Sequence, residues 1–366
     1  MRSRRNSTRV VIVGPRLDAR GGIAMVNATY AAAGLFEIAD DKPVIRYFPS
    51  TRDGSALSKL AYGGWRLAIF TLTHLPRPSV VHLHTTGHTS FWRKAAYAWV
   101  ARAKAARVIH HIHAFAFFDF YERGGRLRRT AVRETLRRAD ALIALTEGMA
   151  TRLRAIAPSQ QIEVLPNPIQ LGALRLKALP LRNPHLVLFL GWFIPEKGIY
   201  DLLDAIPHAV RHVPNLRLAL GGFRNESAIQ AHVRDLGIED RVELLGWLDR
   251  DGVRRALGEC AVLALPSQTE GFPLVLVEAM ACGTPIVTCP VGGIPEILRS
   301  PRNALFVSPG DVTGLSTALV EVLTKPHLRE VMSAAGPEDA KRFDASHVIT
   351  RLRAIYEHLL DSSHKK

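Results

Sequence analysis

Apolar residues come in short, β-branched runs that alternate with amphipathic stretches along most of the chain. Arg9-Val-Val-Ile-Val-Gly14, Val44-Ile-Arg-Tyr-Phe48, Val80-Val-His-Leu-His84, Val108-Ile-His-His-Ile-His113 and Ala141-Leu-Ile-Ala-Leu145 have strand length, and amphipathic segments of helical period separate them. The series restarts after a loop-like stretch from Pro166 to Pro184, with Leu186-Val-Leu-Phe-Leu-Gly191, Leu216-Arg-Leu-Ala-Leu-Gly221, Val242-Glu-Leu-Leu-Gly246, Ala261-Val-Leu-Ala-Leu-Pro266 and Pro285-Ile-Val-Thr288. Strands joined through helices form parallel sheets, so the pattern predicts an α/β chain with two doubly wound domains. The expected boundaries are a first domain over 1–168, a linker over 169–184, a second domain over 185–345, and a closing helix over 346–366 that packs back on the first.

The length of 366 residues suits two domains of about 180 residues each, and 47% hydrophobic with 22% charged residues is a globular composition. The apolar stretch from Leu57 to Leu75 is interrupted by Lys59, Arg66 and His74, and the one from Phe91 to Val100 by Arg93 and Lys94, so no spanning helix is predicted. The basic start is followed by too short an apolar run for a secretion signal, so a cytoplasmic location is expected. Cys260, Cys282 and Cys289 lack CxxC spacing and read as buried thiols. The net charge of +15 is unevenly placed: residues 1–168 hold 26 Lys+Arg against 11 Asp+Glu, and the rest balances. The first half therefore suits an anionic partner and the second does not.

Ligands of doubly wound sheets bind beyond the carboxyl ends of the strands, in a cleft. The first strand is followed by a loop ending in Gly21-Gly22, where the backbone can approach an anion closely; neither GxGxxG nor GxxxxGK[ST] is present. More informative is Pro266-Ser-Gln-Thr-Glu270-Gly-Phe-Pro-Leu-Val-Leu-Val-Glu278-Ala-Met-Ala-Cys-Gly283. Pro273 near the first helical position and Gly283 after the last predict a helix over Leu274–Cys282, apolar nearly all round and buried. Glu270 and the N–H groups of Gly271, Phe272 and Leu274 then cluster where the helix dipole favours a sugar diphosphate. Glu278, farther along, suits a ribose diol, which a carboxylate can accept through two hydrogen bonds.

This segment resembles the E-x7-E region of the retaining glycosyltransferases of family four, the group 1 glycosyl transferases, which have the GT-B fold: two Rossmann-like domains facing each other across a cleft. Gly191-Trp-Phe-Ile-Pro-Glu-Lys197-Gly198 resembles the family's G-R-x-x-x-x-K-G diphosphate loop, Val291-Gly-Gly-Ile-Pro-Glu296 its segment after the next strand, and Gly21-Gly22 its N-terminal glycine loop. The resemblance implies that Lys197 contacts the diphosphate, Glu270 the donor sugar hydroxyls, Glu278 the ribose and His113 the transferred sugar, with backbone donors around them. It further implies front-face substitution with retained configuration, the nucleotide sugar as co-substrate, and neither cofactor nor catalytic metal. Two departures stand out. Ala114 follows the histidine where the family often has glycine, and Trp192 stands where it usually has arginine. A lost phosphate-facing cation would cost about 3 kcal/mol in the transition state unless Arg16, Arg20 or Arg224 replaces it.

His82, His84, His110, His111 and His113 lack the carboxylate or cysteine neighbours of a common metal site, so none is expected to bind metal. Seven arginines between Tyr121 and Arg138, and the helix from Phe91 to Ala106 with Trp92, Tyr97 and Trp99, suit an anionic membrane surface. The expected partners are a nucleotide sugar, a glycan or polyprenyl-diphosphate-linked acceptor, and the cytoplasmic face of a membrane reached through the basic first domain. The expected activity is that of a hexosyltransferase in surface polysaccharide or glycolipid synthesis. A catalytically weak partner subunit or a nucleotide-sugar epimerase remain alternatives within the fold. A nucleic-acid-binding protein would suit the charge but lacks any helix-turn-helix, zinc-finger or RNP motif.

Overall fold

The computed structural model describes residues 8–37, 44–73, 75–76, 79–174 and 182–361. These divide into two compact units, one from the described residues of Met1–Ile169 and Phe343–Lys366, the other from those of Gln170–Arg342. Among the described residues, each unit holds one sheet in which every strand pairing is parallel.

The first sheet is built from β1 (Thr8–Pro15), β2 (Val44–Thr51), β3 (Val80–Thr85), β4 (Arg107–Ile112), β5 (Ala141–Ala144) and β6 (Ile162–Val164), in the order β2-β1-β3-β4-β5-β6. Strand order reverses between β1 and β3, so the loops leaving those strands part on opposite faces and open a crevice. Val11, Val13, Val81 and Leu83 form a core with Phe70 and Tyr97 from the covering helices, and those two rings pack edge to face at 5.1 Å. Helix Ala345–Asp361 belongs to this unit. It buries Leu352, Tyr356, Leu359 and Leu360, Arg351 donates to the Val164 carbonyl at 2.6 Å, and Arg353 donates to that of Leu35 at 3.1 Å.

In the second sheet β7 (Asn183–Leu190), β8 (Arg217–Gly221), β9 (Val242–Gly246), β10 (Cys260–Leu265), β11 (Ile286–Thr288) and β12 (Leu305–Phe306) take the order β12-β11-β10-β7-β8-β9. The reversal here lies between β7 and β10, the arrangement of a dinucleotide-binding sheet. At the opposite end of these strands the Arg182 guanidinium donates to the carbonyls of Leu257, Cys260, Cys282 and Gly283 at 2.8–3.0 Å. That hub fixes the start of β7 against β10 and the end of the helix before β11. The three cysteines are free and buried, and burial pushes each thiol up to about 12.

Within the expected linker, residues 175–181 lie outside the described residues, Leu171–Leu174 is a helical turn, and β7 starts at Asn183. The arginine-rich segment is not one helix: Ala116–Glu122 and Arg126–Arg137 are separated by a break at Gly124-Gly125. Among the described residues no helix is long and apolar enough to cross a membrane.

Candidate functional site

Three loops at the carboxyl ends of β7, β10 and β11 meet at Glu270. Lys197, in the 3-10 turn Pro195–Lys197 after β7, donates from Nζ to Glu270 Oε1 at 2.6 Å, and Ser267 Oγ donates to the same oxygen at 2.8 Å. The loops are also joined through their backbones, since Gln268 N donates to the Glu196 carbonyl at 2.9 Å and Gly293 N to that of Glu270 at 3.3 Å. Two glycines permit this closeness. Gly198 has φ +67° with the Pro266 carbonyl where a Cβ would sit, and Gly292 has φ +56° with the Glu270 carbonyl there. Glu270 is buried with a cation and a hydroxyl as partners, which is what a desolvated carboxylate requires.

The helix that follows, Leu274–Ala281, begins after Pro273 with no side chain capping its first turn. Leu276, Val277, Ala279, Met280 and Ala281 are buried, whereas Gly271, Leu274, Val275 and Glu278 are partly exposed. Leu274, Val275 and Glu278 lie on one side of the helix, at i, i+1 and i+4, and Gly271 precedes it, so an accessible strip runs from the helix start to Glu278, about 6 Å along the axis from Leu274. The expectation of a fully buried helix is thereby corrected, because its polar residue lies on the open strip. The apolar helix still desolvates the Glu278 carboxyl and pushes it up to about 7, while Arg250 pulls it down.

Trp192 follows β7, and the Arg224 guanidinium, from the loop after β8, lies over its ring at 3.8 Å. Arg224 and Asn225 both take positive φ, +80° and +54°, and the Asn225 side chain anchors that loop by donating to the Phe193 carbonyl at 3.0 Å. The two loops approach at Gly222, where a Cβ would meet the Gly191 carbonyl.

In the first unit, Gly21 has φ +138°, caps helix Gly22–Ala32 and leaves open space where a Cβ would lie. Arg16 is exposed and paired with Asp18 at 2.7 Å, and the Arg20 backbone donates to Asp53 at 3.0 Å. His113 directly follows β4 and shares a 2.6 Å hydrogen bond between its Nε2 and His84 Nδ1. Next to them, His82 bonds Tyr356 at 2.6 Å and His111 at 3.2 Å. Burial holds all these imidazoles neutral, with His82 and His113 pushed down to about 3 and His110 to about 4. Nitrogens of His82, His84 and His111 lie within 4.8 Å of one another, so these three are the group among the described residues whose donor set could hold a metal ion.

Residues 4–168 match the family model "Glycosyl transferase 4-like domain", and residues 175–339 match "Glycosyl transferases group 1". D-inositol 3-phosphate glycosyltransferase of Saccharomonospora viridis is 30% identical over 74% of this chain and 69% of its own. The chain belongs to the group 1 glycosyltransferases. Phosphatidyl-myo-inositol mannosyltransferase of Mycobacterium leprae is 32% identical over 59% of each chain, so this group 1 member spans less than two thirds of some curated relatives it matches. Among solved structures, sucrose-phosphate synthase of Thermosynechococcus elongatus superposes with a TM-score of 0.77 at 19% identity, over 97% of this chain and 100% of its own. Anabaena HepE, solved with UDP and glucose, gives 0.74 at 17% identity over 96% and 100%. The fold is therefore GT-B.

Within this group 1 chain the residues singled out from sequence fall into two sets. Lys197, Glu270, Gly271, Phe272, Leu274 and Glu278 are gathered in the second unit, where Trp192 and Arg224 also meet; Gly21, Gly22, Arg16, Arg20 and His113 lie in the first. Sequence reasoning missed Ser267 as a partner of Glu270 and missed the His84–His113 and His82–Tyr356 pairs. The spacing His82-x-His84 and His111-x-His113 does place each pair on one strand face, which was the available signal.

Proposed function

We propose that this protein is a hexosyltransferase that moves a sugar from a nucleotide diphosphate to a glycan acceptor with retention of anomeric configuration. The observation that carries the reading is the Lys197–Glu270 pair at the reversal point between β7 and β10. A donor diphosphate competes for the Lys197 ammonium, and the Glu270 oxygen it leaves accepts from the donor sugar hydroxyls. Backbone N–H groups at the start of helix Leu274–Ala281 add positive potential at the phosphates. Glu278, on the open strip, accepts from the ribose diol.

Chemistry then needs positioning and charge rather than an enzyme nucleophile. The acceptor oxygen attacks the anomeric carbon on the face the diphosphate is leaving, the carbon–oxygen bond to phosphate breaks, and a departing phosphate oxygen takes the acceptor proton. Lys197 stabilises the growing negative charge, and His113, neutral, positions the transferred sugar. Arg224 supplies the guanidinium that Trp192 replaced, held by the indole face in the neighbouring loop. That pairing argues for a working transferase over a catalytically weak subunit. No step requires a metal ion, and a cytoplasmic, lipid-linked acceptor such as a polyprenyl-diphosphate sugar, used in surface polysaccharide or glycolipid synthesis, fits the basic first half. HepE was solved with UDP and glucose, which supports a UDP-sugar as the first donor to try. Metal-free turnover of a UDP-, GDP- or dTDP-sugar with retained configuration, read by NMR of the product, tests the proposal; an inverted product would end it.

A further inference from the structure

Helix Ala56–Leu72 of the first unit is apolar on two sides: Phe70 and Leu67 pack into the core, and a second apolar face points outward. At about 100° per residue, Leu57, Leu60, Trp65 and Leu72 fall within one arc of about 140°, and the other positions on that arc hold only alanine, glycine and threonine. This arc is the solvent side: Leu57 is 80% exposed, Leu60 73%, Trp65 58% and Leu72 86%. Arg66, by contrast, sits toward the body of the unit, donating to the Pro49 carbonyl at 2.8 Å and covering the Phe48 ring at 4.0 Å. A helix facing water normally does the opposite, so a charge-free outer face of this length is made to be covered.

Charge decides what covers it. From residue 54 to residue 118 the chain has no Asp or Glu, and every charged residue is Lys or Arg. Lys59 is exposed on the far side of this helix, Arg52 stacks over Tyr62 beside it, and the adjoining helix His88–Ala103 exposes Trp99, with its Arg102 paired to Asp140 at 3.8 Å. A second copy laid arc to arc would bring two acid-free surfaces together without a counter-charge. An anionic bilayer accepts both features at once, with leucine and tryptophan in the acyl boundary and cations at the headgroups. We infer that helix Ala56–Leu72 lies in the plane of an anionic membrane and anchors the protein there. The inference rests on the proposed membrane-side acceptor, and it moves the anchor away from helix Arg126–Arg137. Several arginines of that region are already engaged: Arg138 pairs with Glu134 at 2.7 Å, Arg128 lies over Phe120 at 5.0 Å, and Arg129 donates to the Glu122 carbonyl at 2.5 Å.

The test is sedimentation of the full chain with vesicles of phosphatidylglycerol and phosphatidylcholine, and with phosphatidylcholine alone. One variant combines Leu60→Glu and Trp65→Glu, both exposed, and another combines Arg126→Glu and Arg133→Glu; circular dichroism and donor calorimetry confirm that each is folded. The wild type should bind the anionic vesicles, the first variant should bind at least about tenfold more weakly, and the second should lose less. If only the second loses binding, the membrane reading stands and this helix is not its anchor. A wild type that ignores both vesicles, or a dimer that the first variant dissolves, would also overturn the inference. Donor calorimetry reads the nucleotide-sugar site separately, so failure here leaves that reading untouched.

Discussion

Both units carry titratable groups at the carboxyl ends of a doubly wound sheet, yet they solve opposite electrostatic problems. The first unit buries bases: His82, His84, His110, His111 and His113 are enclosed and held neutral by desolvation, and burial pushes the enclosed Lys94 ammonium well below its ordinary value. The second presents acids: Glu270 is satisfied by Lys197 and Ser267, and Glu278 is raised to about 7 on an open strip. Neutral imidazoles bind and orient without attracting counter-ions, whereas a carboxylate beside a lysine forms a charge pair that an incoming diphosphate can rearrange. The units should therefore also respond oppositely to pH. Between the folded and unfolded histidine values the unfolded chain binds more protons, so the first unit gains stability as pH rises toward about 6.5. Between about 4.5 and 7 the folded second unit binds the extra proton on Glu278, so that group loses stability over the same rise.

The strongest way to break this contrast is to remove the charge pair. Lys197→Ala should lower kcat/KM by about a thousandfold or more, because it removes diphosphate binding and transition-state charge together. It should also lower stability by about 2 kcal/mol, since Glu270 is left buried with Ser267 alone; chemical denaturation measures this. A smaller effect sharpens the role of the second cation. Arg224→Ala should cut kcat about a hundredfold with KM little changed, and Arg224→Lys should recover part of it; rates unchanged by either would free Trp192 of any compensating partner. Third comes donor binding against pH. The wild-type affinity should fall as pH drops below about 7, where Glu278 takes a proton and can no longer accept twice from the ribose, and Glu278→Gln should bind weakly with a flat profile. Smallest is the histidine effect: thermal stability should climb between about pH 4 and 6.5, and His84→Gln should flatten that slope. A flat wild-type profile would mean that the imidazoles are charged in the fold.

Much of this was legible in sequence because parallel strands buried on both faces are nearly continuous apolar runs, and because Gly198, Pro273 and Gly283 mark turns and helix ends by their backbone chemistry. The resemblance implied a donor contact for each of Lys197 and Glu270; their pairing with one another, and with Ser267, comes from the geometry. What stayed hidden depends on packing across the chain. β6 and β12 are too short to carry a pattern, with three and two residues. Arg224 reaches Trp192 only because β8 lies beside β7, and Tyr356 reaches His82 only because the last helix returns to the first unit. Helix Ala56–Leu72 is apolar on two sides, and periodicity does not say which side meets water: Phe70 and Leu67 pack inward, while Leu57, Leu60, Trp65 and Leu72 are exposed.

The most direct test of the central claim, that the second unit is a nucleotide-sugar site built on Lys197, Glu270 and Glu278, is calorimetry of the full chain against UDP-, GDP- and dTDP-sugars in chelator. One donor should bind with a single site per chain, and Glu278→Ala, folded by circular dichroism, should abolish it. Binding of the same donor unchanged in Glu278→Ala, or of none by the folded wild type, would contradict the account.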